Sequence, residues 1–361
     1  MNLLKNKYDF LSSVIAVFAG LIVGFIVLVI SNHEQAVPAF FTILTFGFTS
    51  LRNFGDVLYF ATPIILTGLS VGFAFKTGLF NIGASGQFTF GAFIAIYIAI
   101  EFYFLPPSIR IVASLVGAML IGALWAAIPG LLKAYCNVHE VISCIMTNYI
   151  GIFLVNWIIL NTIFDPFRNQ TIRVPYYANM PRFGFDNIFT DGIIASSVNS
   201  GIVVAIAFSI VVYIILYKTK FGYELKAVGF NSDAAKYAGI NEKRNIVLSM
   251  MISGALAGLG GGLLYLSGAG ISMNVADTLS QEGFTGIPIA FLAMAHPIGI
   301  IFTGLLIAYL NLGGFTMQLF GFTPEIVDIV ISVIIYFSAF SLLVKMQITK
   351  FVKLTKKFKR G

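Results

Sequence analysis

Thr77-Gly78-Leu79-Phe80-Asn81-Ile82-Gly83-Ala84-Ser85-Gly86-Gln87 is a polar, glycine-rich run set between two apolar stretches of membrane-spanning length. Hydrocarbon offers no water to a bare backbone amide or an Asn side chain, so each group left unsatisfied there is costly. Such a run is stable only where protein buries it or where it lines a wet path. It is therefore a candidate lining of a route through a membrane.

The rest of the chain supports a membrane setting. Its 361 residues are 58% hydrophobic and only 10% charged, with a mean hydropathy of +0.93. Soluble domains carry roughly 25% charged residues. The composition predicts an all-α polytopic membrane protein, one membrane domain over 1–361, with no separate soluble domain. Residues 11–30 follow Lys5 and Lys7 and are long enough to span, with no small-residue cleavage site after them. They read as an uncleaved first helix rather than a signal peptide.

Apolar runs and breakers predict about ten segments (eight to ten): 11–30, 57–75, 87–105, 110–132, 141–161, 198–217, 246–267, 284–295, 298–314 and 325–344. The eighth is too short to cross at 1.5 Å per residue and reads as a half-helix, a re-entrant piece, or one continuing through Gly283. With the N-terminus placed in the cytoplasm, 17 of the 22 Lys and Arg residues fall inside, seven of them in the tail from Lys345 to Arg360. Only Arg52, Arg110, Arg168, Arg173 and Arg182 fall outside. That asymmetry predicts cytoplasmic termini at both ends and a tail lying against anionic lipid. The net charge of +7 is thereby explained by topology, and no soluble domain exists to present a basic face to nucleic acid. Two long loops remain, an extracytoplasmic one over 162–197 and a cytoplasmic one over 218–245.

Enzyme chemistry finds no footing. No phosphate loop, H-E-x-x-H or G-x-S-x-G pattern occurs, and the two cysteines and three histidines form no metal-ligand or disulfide framework. His139-Glu140 reads as a helix cap. The spans are nearly free of charge, against the expectation for an ion-coupled carrier. Gly68, Gly72, Gly254, Gly258 and Gly262 fall in small-xxx-small patterns that let helices pack closely.

The 218–245 loop holds Phe221-Gly222-Tyr223-Glu224-Leu225-Lys226-Ala227-Val228-Gly229-Phe230-Asn231-Ser232-Asp233-Ala234-Ala235-Lys236-Tyr237-Ala238-Gly239-Ile240. Asn231 and Ser232 are good N-caps, Asp233 suits a first turn, and Gly239 suits the C-cap, which predicts a two-turn helix over 232–239. Its small residues offer a flat face for another protein. The residues alone equally allow a plain surface helix.

This loop resembles the coupling loop of ATP-binding-cassette (ABC) importer permeases of the branched-chain amino acid/ribose/nucleoside class, over Gly222 to Ile240. The run from Gly78 to Gln87 resembles the same class in its nucleoside form, with Ser85 where that form carries Glu. Glu140 to Ile150 and Gly283 to Ile287, the latter followed by His296-Pro297, are further matches in the same order. The resemblance implies a permease subunit without an ATPase site of its own and with no cofactor in this chain. ATP-Mg would be hydrolysed on a partner ABC ATPase docked through Glu224, Asn231, Asp233, Ala234, Ala235, Tyr237, Ala238 and Gly239. It also implies a second permease subunit, a different paralogue or an identical copy, and an extracytoplasmic substrate-binding lipoprotein, all at a prokaryotic cell membrane. Substrate-path candidates are Phe80, Asn81, Ser85, Gln87, Phe88, Asn148, Glu282, Phe284 and Thr285. Asn81 and Gln87 offer donors and acceptors suited to a nucleoside, and Phe80 and Phe88 could stack on a base. Helix–helix hydrogen bonding is the alternative for Asn81 and Gln87. A sugar, a branched-chain amino acid, or ATP-independent secondary transport are the competing functions.

Overall fold

The computed structural model describes residues 2–340 with 344, 346 and 347, omitting the side chains of 2–10, 13, 338 and 339; the basic tail and the end of the tenth predicted segment lie outside the described residues. The helices are α1 (Asn2–Ser31), α2 (His33–Thr49), α3 (Leu51–Lys76), α4 (Ala84–Glu101), α5 (Pro107–Cys136), α6 (Glu140–Asn161), α7 (Phe185–Ile188), α8 (Gly201–Lys218), α9 (Lys220–Phe230), α10 (Ser232–Tyr237), α11 (Glu242–Tyr265), α12 (Gln281–Leu292), α13 (Pro297–Thr316) and α14 (Pro324–Ala339). A two-residue hairpin, β1 (Phe164–Asp165) and β2 (Gln170–Thr171), lies in the loop after α6.

Among the described residues, eight helices are long and apolar enough to cross a membrane: α1, α3, α4, α5, α6, α8, α11 and α13 with the turn that continues it. Two further predicted segments appear as the 12-residue α12 and the 16-residue α14. One helix, the 17-residue α2, was absent from the segments read in the sequence. It starts at a capping side chain, Asn32, whose Oδ1 accepts from Gln35 N at 3.3 Å.

Every residue of α3 from Ala61 to Ala74 is buried. A helix apolar on all sides belongs at the centre, and α4, α8, α11, α12 and α13 all pack on it. Close approach elsewhere is set by glycines, Gly258 of the predicted set and others besides. A Cβ on Gly258 of α11 would collide with the Ala118 carbonyl of α5, and one on Gly91 of α4 would collide with Gly258 itself. Gly20 and Gly24 of α1 pack on Ile334 and Val330 of α14 in antiparallel order, so the start of α1 and the end of α14 lie at one end of the bundle.

That end also carries α9 and α10. The opposite end carries the loop between α6 and α8, tied to the start of α3 by an Arg52–Asp191 ion pair at 3.1 Å. Asp56 accepts there from Ser196 Oγ at 2.7 Å.

Candidate functional site

From the opposite end the chain does not return as a helix. Residues 266–280 run inward without helical structure, and α12 begins beside the middle of α3, where Thr67 Oγ1 donates to Glu282 O at 2.9 Å. From there α12 runs alongside α3 to its end, where Lys76 Nζ donates to Met294 O at 3.1 Å. α12 thus continues through Gly283, and at 12 residues it remains a half-helix too short to span. Irregular backbone at such depth must find partners inside the protein, and the spans supply them. Asn156 of α6 donates to Ala276 O at 3.1 Å and to Asp277 Oδ1 at 3.2 Å. Ser85 Oγ donates to Ser280 O at 2.8 Å. A Cβ on Gly283 would collide with Ser85 Cα, so the start of α12 rests directly on the polar run.

The polar run is braced on several further sides. Asn81 and Gln87 exchange reciprocal amide hydrogen bonds, Asn81 Nδ2 to Gln87 Oε1 at 2.8 Å and Gln87 Nε2 to Asn81 Oδ1 at 3.0 Å. Asn81 Nδ2 also donates to Ser253 Oγ of α11 at 2.7 Å, and Ser253 Oγ donates to Ser70 O of α3 at 2.8 Å. Thr77 and Ser249 hydroxyls pair at 2.7 Å. Asn148 of α6 clamps the backbone, accepting from Gly86 N at 2.8 Å and donating to Ile82 O at 3.0 Å. The turn into the run is made by Gly78, whose φ of +75° belongs to the left-handed region. Gly229 of α9 lies on it, and a Cβ there would come within 2.6 Å of the Lys76 carbonyl oxygen.

The path residues selected from the sequence therefore divide in two. Asn81, Ser85, Gln87, Phe88 and Asn148 are buried, and the four polar side chains among them are occupied by protein partners. Asn81, in the loop before α4, and Gln87, on α4, bond each other, and Asn81 reaches on to Ser253 of α11. Phe80, Glu282, Phe284 and Thr285 are partly open. Phe80 packs on Phe291 with ring centroids 6.0 Å apart, and Glu282 Oε2 accepts from Ser280 Oγ at 2.6 Å. His139 caps α6 as read, accepting from Val141 N at 3.3 Å, while Glu140 pairs with Lys133 at 3.0 Å.

Residues 53–339 match the family described as Branched-chain amino acid transport system / permease component. The chain belongs to this permease family. The chain is 36% identical over 360 residues to the guanosine ABC transporter permease protein NupP of Bacillus subtilis, covering 97% of this chain and 99% of that one. It is 36% identical to the nucleoside ABC transporter permease protein NupB of Lactococcus lactis, over 93% and 92% of the two chains. It is 31% identical to the glucose ABC transporter permease protein TsgB13 of Haloferax volcanii, over 90% and 85%. No solved structure matches the chain. The permease is accordingly a multi-pass protein of the cell membrane.

In this permease the 218–245 loop forms two helices where one was read. α9 starts at Thr219, whose Oγ1 accepts from Gly222 N at 3.1 Å. α10 is shorter than predicted, Ser232–Tyr237, with Asn231 as its cap, accepting from Ala234 N at 2.9 Å. Gly239 takes the left-handed φ of +79° expected past a helix end. Ser232 hydrogen-bonds Glu242 and fixes α10 to α11. Asn231, Asp233, Ala234, Tyr237, Ala238 and Gly239 are exposed, Glu224 is partly exposed, and Ala235 is buried. Phe230 and Tyr237 are 90% and 95% exposed. Phe230 and Gly229 went unremarked in the sequence; an aromatic just before an N-cap at the end of a polar loop was the available signal.

Proposed function

We propose that this permease is the membrane subunit of an ABC importer that takes up nucleosides, with α9, α10 and both termini in the cytoplasm. The positive-inside distribution supports that orientation. The two most extensive likenesses reported above, both to permeases named for guanosine or nucleosides, support the substrate class. A partner ATPase, carrying ATP-Mg, grips the exposed aromatic and small residues from Phe230 to Gly239. A second permease completes the pathway, and a substrate-binding lipoprotein docks over the 162–197 loop.

The mechanism rests on one chain of contact. Gly229 of α9 presses on Gly78, and at its far side the same run holds the start of α12 through Ser85 and Ser280. A push on α9 is therefore delivered to the half-helix at mid-depth through packed backbone that yields little. In this reading Phe80, Glu282, Phe284 and Thr285 face the substrate, and Asn81, Ser85, Gln87, Phe88 and Asn148 hold them in place. The glucose permease relative favours one rival, a monosaccharide carrier of the same architecture.

The test is uptake in cells lacking the chain, with labelled nucleosides, glucose and leucine supplied separately. Loss of nucleoside uptake alone, restored by the intact chain, is the expected result. Loss of glucose or leucine uptake with nucleoside uptake intact would sink the substrate reading.

A further inference from the structure

At the α9–α10 end, three elements bring positive charge to one spot. Lys76 ends α3, with Nζ held by Met294 O at 3.1 Å. Lys226 of α9 holds Nζ 4.8 Å from the ring centroid of Tyr217 on α8. His296, the cap of α13, packs on Tyr217 and Tyr213 with centroids 5.5 and 5.8 Å apart, and those two tyrosines stack at 5.2 Å. The positive end of the α13 dipole adds to the same spot. Lys76 and Lys226 repel each other, and both are only partly exposed. Among the described residues neither forms an ion pair with a carboxylate. Burial first, and Lys76 second, push the His296 imidazole below its ordinary value. Its Nδ1 accepts from Gly299 N at 3.4 Å, so the neutral ring keeps Nε2 as a donor. The turn beside it is strained, with Met294 and Ala295 at φ of 51° and 52°.

Half-buried cations without a counter-charge are unfavourable unless an anion joins them. We propose that this cluster holds the phosphate of an anionic phospholipid from the adjacent leaflet, between α8, α9 and the α12–α13 turn. A lipid rather than a free phosphate fits the approach. Ile210, Ile214 and Tyr217 form an exposed stripe along α8 that leads to the cluster, at 47%, 47% and 38% exposure. Tyrosine at the end of an apolar stripe marks the level of the head groups. On the orientation proposed above, this is the cytoplasmic leaflet. A lipid there bridges Lys226 to the α12–α13 turn and steadies α9 against α8, whatever the transported substrate.

The test uses the full-length permease in nanodiscs with a diazirine-labelled phosphatidylglycerol, and phosphatidylcholine as comparison. Labelling of residues 210–226 and 290–300 several-fold above the phosphatidylcholine level is expected. Each surface lysine adds to lipid attraction, so Lys226→Gln should lower labelling about fivefold. Lys226→Arg should retain it, and Lys76→Gln with Lys226→Gln should abolish it. Lys226→Gln leaves the Lys76–Met294 bond intact, so it can be read even if the double variant fails to insert. Equal labelling by phosphatidylcholine, indifference to Lys226→Gln, or displacement of the label by millimolar inorganic phosphate would each overturn the proposal.

Discussion

Gly229 of α9 lies against Gly78 at the end of α3, backbone on backbone, with no room for a side chain on Gly229. The α9–α10 unit is thereby seated on the polar run itself. Gly229→Ala would place a Cβ 2.6 Å from the Lys76 carbonyl, a contact that only backbone movement relieves. The expected cost is about 1–3 kcal/mol, with loss of substrate-stimulated ATP hydrolysis in the reconstituted complex. Gly239→Ala meets nothing within 4 Å and carries only its left-handed strain, about 1 kcal/mol. Equal effects of the two on coupling would show that the Gly78 contact is not the route.

The reciprocal Asn81–Gln87 pair should behave as structure rather than as a substrate contact. Asn81→Ala strands the Gln87 amide and one Ser253 acceptor, at about 1–3 kcal/mol. In a double-mutant cycle with Gln87→Ala, much of that cost should not repeat. Unfolding in detergent measures the stability, and competition among nucleosides measures preference. A changed order of competing nucleosides in Asn81→Ala would return Asn81 to the substrate path.

Phe230 and Tyr237 make almost no contact within the chain. Replacing either by Ala should leave the thermal stability of the isolated permease within about 0.5 kcal/mol. Binding of the partner ATPase should weaken by about 2 kcal/mol or more, as for exposed aromatic anchors. Pull-down of the ATPase from membranes checks this, and undiminished capture would remove these residues from the interface.

The Arg52–Asp191 tether should loosen only in strong acid. Backbone N–H groups of Ile194 and Ile193, and then Arg52, hold the Asp191 carboxyl down at about 2, below the ordinary 3.8. A carboxyl depressed in the folded state stabilises it fully above its unfolded value, and that contribution is lost as pH falls from about 4 toward 2. The protection of residues 189–196 against hydrogen exchange, taken relative to the intrinsic rate at each pH, should hold down to about pH 4 and fall below it. In Asp191→Asn the step should vanish.

Gly258→Val should prevent folding outright. The added side chain would strike the Ala118 carbonyl of α5 and the backbone of Gly122, and α11 has no second face to offer. A loss beyond about 3 kcal/mol is expected. It would be seen as absence of the full-length chain from the membrane fraction, and normal accumulation would contradict the crossing geometry.

Much of the fold was legible because hydropathy and breakers are local properties. Eight of the ten segments read from the chain are helices of spanning length, and the short eighth is a half-helix. α2 escaped because His33, Glu34, Gln35 and Pro38 break its apolar pattern, and its 17 residues follow α1 with only Asn32 between. α9 escaped because Gly222 and Gly229 look like loop residues; their small size instead lets the helix lie against Leu216 and Gly78.

The run from Thr77 to Gln87 marks the division. Sequence alone determined that its polar groups need shelter, since an unsatisfied amide is costly in any apolar setting. It also determined, through the match from Gly222 to Ile240, the permease family to which the chain belongs. Only the tertiary structure decided what the shelter is. Asn81 closes on Gln87 and Ser253, Ser85 reaches Ser280, and Gly78 receives Gly229. Hydrogen-bond satisfaction and backbone contact belong to pairs of residues, and the hydrogen-bond partners of this run lie up to 195 positions away in the chain.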